Sequence, residues 1–195
     1  RNARASAGAR AMADFFRDLI AERRRAPTDD LISHFIAARD GGEEMTEDEL
    51  IAACMLVLFG GHETTTNLLT TGMLKFCKDP EARALLASRP DLAPLAVEEC
   101  LRLDGPSGSM ARVVAVEHEL HGKRLRPGER VFAMLNAANM DPRVFDRPQA
   151  FDLTRERSRH VTFGYGAHFC LGASLARLEG EVAFARLCRE FPAMR

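Results

Sequence analysis

Apolar residues Met12, Phe15, Phe16, Leu19 and Ile20 recur at helical spacing and run into Arg23-Arg24-Arg25. That basic end suits the negative pole of a helix, and Pro27 then enforces a break. Asp29 or Asp30 stands where a cap belongs for a second, short helix carrying Leu31, Ile32, Phe35 and Ile36. Asp40-Gly41-Gly42 reads as a turn. Thr46 with Glu49 three residues on is a capping box in front of an apolar run. The spacing predicts a helix over 47–78, roughly 45 Å long at the standard rise, with no strong stop before Asp79-Pro80. Its first half, from Leu50 and Ile51 through Met55, Leu56, Val57, Leu58 and Phe59, is apolar all round, the pattern of a buried helix.

Shorter helices are predicted over 80–87 and 94–103, the second with Pro94 in its first turn and a stop at Asp104-Gly105-Pro106. Val113, Val114 and Val116, then Val131, Phe132 and Met134, make short β-like runs around Gly122 and Pro127-Gly128. Residues 141–159 are polar and aperiodic, a connection whose length points to a functional or a disordered segment. A last helix over 172–188 carries Leu175, Leu178, Val182, Phe184 and Leu187 near one stripe. The fold class is mainly α with a small β element.

Composition narrows the function classes. The 195 residues are 46% hydrophobic and 28% charged, the balance of a globular protein. Lys and Arg number 27 against 28 Asp and Glu, so no bulk field favours nucleic acid or an anionic membrane. The longest apolar run, residues 51–59, is far short of a membrane span. Five cysteines with no C-x-x-C pair argue against a secreted disulfide framework, and the cytoplasm is the expected compartment.

Three segments resist a purely structural explanation. Gly60-Gly61-His62-Glu63-Thr64-Thr65-Thr66 puts two glycines, a carboxylate and β-branched hydroxyls in the middle of an otherwise apolar helix. One reading is a kink whose hydroxyls bond back to carbonyls. The other is a widened turn facing a small ligand, with Glu63 and Thr64 handling protons and Gly60 or Gly61 admitting a flat cofactor to the backbone. The second segment is Phe163-Gly164-Tyr165-Gly166-Ala167-His168-Phe169-Cys170-Leu171-Gly172, a glycine-rich loop running into a helix. A cysteine at a helix start is placed to form thiolate, which serves as nucleophile, redox thiol or metal ligand. The third is Glu99-x-x-Arg102, an i, i+3 pair that alone carries no information.

Taken in order, these segments resemble the C-terminal half of a cytochrome P450, of the soluble bacterial type, across essentially the whole chain. Phe163, Gly166, Cys170 and Gly172 meet the loop pattern F-x-x-G-x-x-x-C-x-G. Gly60, Gly61, Glu63 and Thr64 meet the central-helix pattern, and Glu99 and Arg102 the E-x-x-R pair. The resemblance implies a haem whose iron takes the Cys170 thiolate. It also implies a haem-binding loop that includes Phe163, Gly164, Gly166 and Gly172, with Arg112 and His168 as propionate partners. Thr64 and Glu63 would deliver protons on the opposite side, where Gly60 and Gly61 approach the cofactor. The implied activity is monooxygenation of a small organic substrate with electrons from NAD(P)H through a reductase and a ferredoxin or flavodoxin. A haem sensor or carrier and a peroxide-dependent relative are the alternatives, disfavoured by the presence of both Glu63 and Thr64.

Two departures qualify the resemblance. The family's meander supplies an arginine to the E-x-x-R pair in a Pro-x-Arg-Phe context, but here Ala150 stands in that place in Pro148-Gln149-Ala150-Phe151. Arg147, Arg155 and Arg159 are the candidates to replace it. The family's N-terminal half and closing strands have no counterpart, and the chain holds no Trp. The expectation is one partial domain over residues 1–195, cut at both ends and inactive alone.

Overall fold

A computed structural model describes residues 2–40, 45–156 and 159–194. The turn expected at Asp40-Gly41-Gly42 lies outside the described residues. The chain divides into two compact units, Arg1–His62 and Glu63–Arg195. It is mainly helical with two small sheets.

In the first unit, α1 (Asn2–Arg25) ends in its three arginines, and α2 (Leu31–Asp40) starts where Asp30 Oδ1 accepts the Ser33 amide at 2.8 Å. Helix α3 (Glu47–Lys78) begins at the predicted capping box. The Thr46 amide donates to Glu49 Oε2 at 2.7 Å and the Glu49 amide to Thr46 Oγ1 at 3.3 Å. Phe16, Ile20, Ile36, Leu50, Ile51 and Cys54 form the unit's core. Burial of α3's first half is therefore one-sided. Leu56 and Phe59 are 69% and 66% exposed, contrary to the expectation of cover all round, because the core of α1 and α2 residues engages only the Leu50–Cys54 face.

The second unit carries the rest of α3, then α4 (Pro80–Ser88), α5 (Ala93–Asp104), α6 (Leu135–Ala138) and α7 (Ala173–Glu190). Asp79 caps α4 by accepting the Ala82 amide at 2.9 Å, with Pro80 in the first turn. Helix α7 packs on α4 and α5, and their core gathers Leu68, Phe76, Leu86, Val97, Leu101 and Phe184. The stripe of α7 that faces this core is Ala173, Gly180, Phe184 and Cys188; Leu175, Leu178 and Val182 face outward instead. Small residues set that choice. A Cβ on Gly180 would stand 2.9 Å from Val97 Cγ2, and one on Gly72 would stand 2.3 Å from Phe184 Cζ.

Strand β1 (Met110–Val113) pairs antiparallel with β4 (Arg130–Ala133), with Arg112 opposite Val131. Strands β2 (His118–Leu120) and β3 (Lys123–Leu125) form a hairpin whose turn residues His121 and Gly122 both have positive φ, 49° and 74°. Among the described residues no helix is long and apolar enough to cross a membrane.

Candidate functional site: the Cys170 loop and its polar supports

The loop follows directly from its glycines. Gly164 and Gly166 adopt φ of 75° and 77°, a region that costs other residues strain. They fold the chain back so that the Cys170 amide donates to Phe163 O at 3.0 Å, closing the loop on itself. A short 3₁₀ turn (Gly166–His168) precedes Cys170, and α7 begins three residues after it, later than the sequence suggested. The Ala173 amide donates to Cys170 O at 3.3 Å.

The cysteines differ sharply in access. Cys54, Cys100 and Cys188 are buried, and burial pushes the thiol of Cys188 up to about 11 and raises that of Cys100 further. Cys170 is exposed, beside the half-exposed Phe169 and the nearly bare Leu171. A Cβ built on Gly166 or Gly172 would meet nothing within 4 Å, so the space beside the loop is open. An accessible soft sulfur flanked by outward apolar side chains and open glycines fits a flat, apolar, metal-bearing group. Among the described residues no three His, Cys, Asp or Glu side chains gather to hold a metal ion.

The remaining predicted residues lie elsewhere in the chain. His168 is exposed in the 3₁₀ turn. Arg112 is exposed on β1 and donates to Ala111 O at 2.9 Å. Glu63 and Thr64 sit in mid-α3, Glu63 exposed and Thr64 half-buried. Gly60 and Gly61 are exposed, with nothing within 4 Å of a Cβ at either. The widened turn expected there is not formed, since α3 is continuous α-helix. Back-bonding hydroxyls occur on this helix, with Thr70 and Thr71 donating to Thr66 O and Asn67 O at 2.7 and 2.8 Å.

The E-x-x-R pair is the buried anchor of this region. Arg102, fully buried, donates Nε and Nη2 to the two Glu99 oxygens at 2.8 Å each. It also donates to the carbonyls of Asn139, Pro148 and Ala150 at 3.0, 2.6 and 3.1 Å. Arg155 completes the site, with Nε 3.1 Å from both Glu99 oxygens. Of the three candidates, the structure selects Arg155; Arg147 is exposed and pairs with Asp146 and Asp152, and Arg159 is exposed. Ala150 contributes a backbone acceptor, for which no side chain is required.

Two further supports were not anticipated. Asn139 Nδ2 donates to Thr162 Oγ1 at 2.8 Å, and the Thr162 hydroxyl donates to Leu101 O at 2.7 Å. Glu98, the neighbour of Glu99, accepts from Arg177 Nε at 2.5 Å and has His160 Nε2 3.3 Å away. Nothing in local spacing marks these residues, because their partners are 20 to 80 positions distant.

This architecture matches a known one. The family model for cytochrome P450 matches residues 3–88 and 91–193. The chain belongs to the cytochrome P450 family. It is 42% identical over 180 residues to the biotin biosynthesis cytochrome P450 of Bacillus subtilis, covering 92% of this chain and 45% of the relative. It is 41% identical over 182 residues to the steroid C26-monooxygenase of Mycobacterium tuberculosis, covering 93% and 49%. Among solved structures, the myxobacterial cytochrome P450 CYP267B1 in complex with myristic acid superposes with a TM-score of 0.90 at 43% identity, over 94% of this chain and 46% of that one. The chain thus spans about half the length of the relatives it matches. Cytochromes P450 carry haem, and the exposed thiol and open glycines of the Cys170 loop fit a group of that kind.

Proposed function

We propose that this chain is the haem-binding part of a haem-thiolate monooxygenase, acting on a small, largely apolar organic molecule. The observation that carries this reading is the exposed Cys170, its amide tied to Phe163 O in a glycine-folded loop, while Cys54, Cys100 and Cys188 are buried. Relatives named for steroid C26 oxidation and for a bound myristic acid favour an apolar substrate. Electrons would come from NAD(P)H through a reductase and a ferredoxin or flavodoxin.

Cys170 would hold the haem, with Phe163, Gly164, Gly166 and Gly172 shaping the loop beneath it and Arg112 and His168 neutralising its propionates. Haem, when bound, supplies the activation of O2 that no side chain provides. Gly60 and Gly61 leave the α3 backbone open to a flat group. The Thr64 hydroxyl would hold a proton for oxygen cleavage, and the exposed Glu63 carboxylate would bring it from solvent. Arg102, Glu99 and Arg155 keep the meander folded so that the loop stays in place.

The test is the ferrous–CO spectrum of the full-length protein. The strongly red-shifted Soret band of thiolate ligation is expected, moving to the histidine-ligated position in Cys170→His. An unchanged spectrum in the variant would remove Cys170 from the iron. Thr64→Ala should keep its haem and divert reducing equivalents to hydrogen peroxide; coupling equal to the parent's would remove Thr64 from proton delivery.

A further inference from the structure

Phe163 is held from its side chain as well as its backbone. The Arg177 guanidinium carbon lies 4.6 Å from the centroid of the Phe163 ring, within reach of a cation–π contact. Arg177 is aimed there by Glu98, which takes its Nε at 2.5 Å and its Nη2 at 3.3 Å. The His160 side chain, 2% exposed, packs its ring 6.0 Å from that of Phe163 and sets Nε2 3.3 Å from the second Glu98 oxygen. Its Nδ1 accepts the Thr162 amide at 3.3 Å, tying the imidazole to the chain immediately before Phe163. The Phe163 carbonyl in turn accepts the Cys170 amide at 3.0 Å.

We propose that Arg177, Glu98 and His160 form a positioning cluster that fixes the Phe163 ring and, through the Phe163 carbonyl, the backbone of Cys170. Glu98 and Arg177 are partly buried, and withdrawing a carboxylate and a guanidinium from water costs free energy that their mutual geometry must offset. Here the pair joins α5 to α7, and the cation–π contact of Arg177 lies on Phe163, the residue that anchors Cys170. Holding the amide of Cys170 holds its Cα–Cβ direction and so the direction of its sulfur. The consequence for iron ligation rests on the haem-thiolate reading above; the consequence for the Cys170 amide does not.

The experiment measures two things on the full-length, haem-loaded protein. One is hydrogen exchange at the Cys170 amide against amides of α3. The other is the rate at which the thiolate-ligated ferrous–CO complex converts to the non-thiolate form. Arg177→Met should speed Cys170 exchange roughly fivefold, in line with loss of a single cation–π contact, and speed spectral conversion by a similar factor, with α3 unchanged. Arg177→Lys, which keeps the charge but not the planar face, should fall between parent and Met variant. Parent-like exchange and conversion in Arg177→Met, or equal acceleration in α3, overturns the cluster. If Arg177→Met does not load haem, Glu98→Gln decides, with two- to threefold faster Cys170 exchange expected at roughly half the perturbation and parent exchange overturning the proposal. A parent protein without the red-shifted band removes the haem-thiolate reading, and the exchange measurement still judges the cluster.

Discussion

Replacing Arg155 by Met separates the arginine that the folded chain uses from those that sequence alone offers. Arg155 is 12% exposed and donates Nε to both oxygens of the buried Glu99, Nη1 to Asp146 O at 2.5 Å and Nη2 to Arg147 O at 3.1 Å. Without it, Glu99 keeps Arg102 and the Asp152 amide at 3.1 Å, so the carboxylate is not stranded. The cost should therefore fall below the 3–5 kcal/mol typical of fully breaking a buried pair. The carbonyls of residues 146 and 147 lose charged donors, but they lie in a loop that water can reach. Together these give a loss of about 1.5–3 kcal/mol. Arg147→Met should cost under about 1 kcal/mol, since the Arg147 side chain is 66% exposed and can be replaced by water at its partners. Arg159→Met should lie within about 0.5 kcal/mol of the parent. Urea unfolding of the three variants of the full-length protein, followed by near-UV circular dichroism, gives the ranking. A loss in Arg147→Met or Arg159→Met equal to that in Arg155→Met would refute the assignment.

Three further outcomes follow from the same geometry. Burial raises the Glu98 carboxyl, but hydrogen bonds and charge from His160 and Arg177 outweigh it and hold the group at about 2. A carboxyl depressed in the folded state stabilises above its unfolded value, near 4.5, and loses that contribution as pH falls toward 2. Acid titration of stability should therefore flatten in this window in Glu98→Gln, and an unaltered pH profile would exclude Glu98 from the linkage. Gly105→Ala should destabilise by about 1–3 kcal/mol, because its Cβ would lie 2.3 Å from Thr162 Cγ2 and 2.7 Å from the Leu101 carbonyl, and chemical denaturation checks it. Residues 1–195 expressed alone should bind ANS and load haemin poorly, because Leu56, Phe59, Leu171, Leu175 and Leu178 are all exposed; a monomer with full thiolate-haem loading and no ANS binding would contradict this.

Local signals in the sequence were sufficient wherever the determining partner lay within a few residues. Thr46 and Glu49 bond each other across three positions, and Asp79 caps the helix that Pro80 opens, so α3 and α4 start where the pattern puts them. Gly164 and Gly166 mark the loop because positive φ is a property of one residue. The β2–β3 hairpin was not foreseen: its strands are exposed and short, without the alternation that announces a half-buried strand, and its turn asks His121 for positive φ. On α7 the pattern places Phe184 in the core but Leu175 and Leu178 wrongly beside it, since apolar size points to them while the close approach of Val97 and the Phe184 ring is governed by Gly180 and Gly72. Glu99 and Arg102 read as an ordinary helical pair because their value lies in Arg155 and three carbonyls more than 35 positions away.

Residues 139–172 explain why so much charge is buried here. Apart from one 3₁₀ turn they contain no helix or strand among the described residues, so their backbone groups have no ladder to join. Side chains on α5 and in the meander take that part. Arg102 caps the carbonyls of residues 139, 148 and 150; Glu99 accepts the Asp152 amide; Asn139 Oδ1 accepts the Val161 amide at 2.8 Å. The Thr162 hydroxyl then ties this strandless segment to α5 one residue before Phe163. A polar side chain lost from this set leaves a main-chain group unsatisfied as well as a pair broken, and the displacement is passed along a covalently connected segment toward Cys170. The neighbouring carboxylates Glu98 and Glu99 therefore serve different ends of one loop system: Glu99 secures the meander through Arg102 and Arg155, and Glu98 secures the Phe163 turn through Arg177. Helix α5, with both on it, is the rigid element from which the position of the accessible thiol is set.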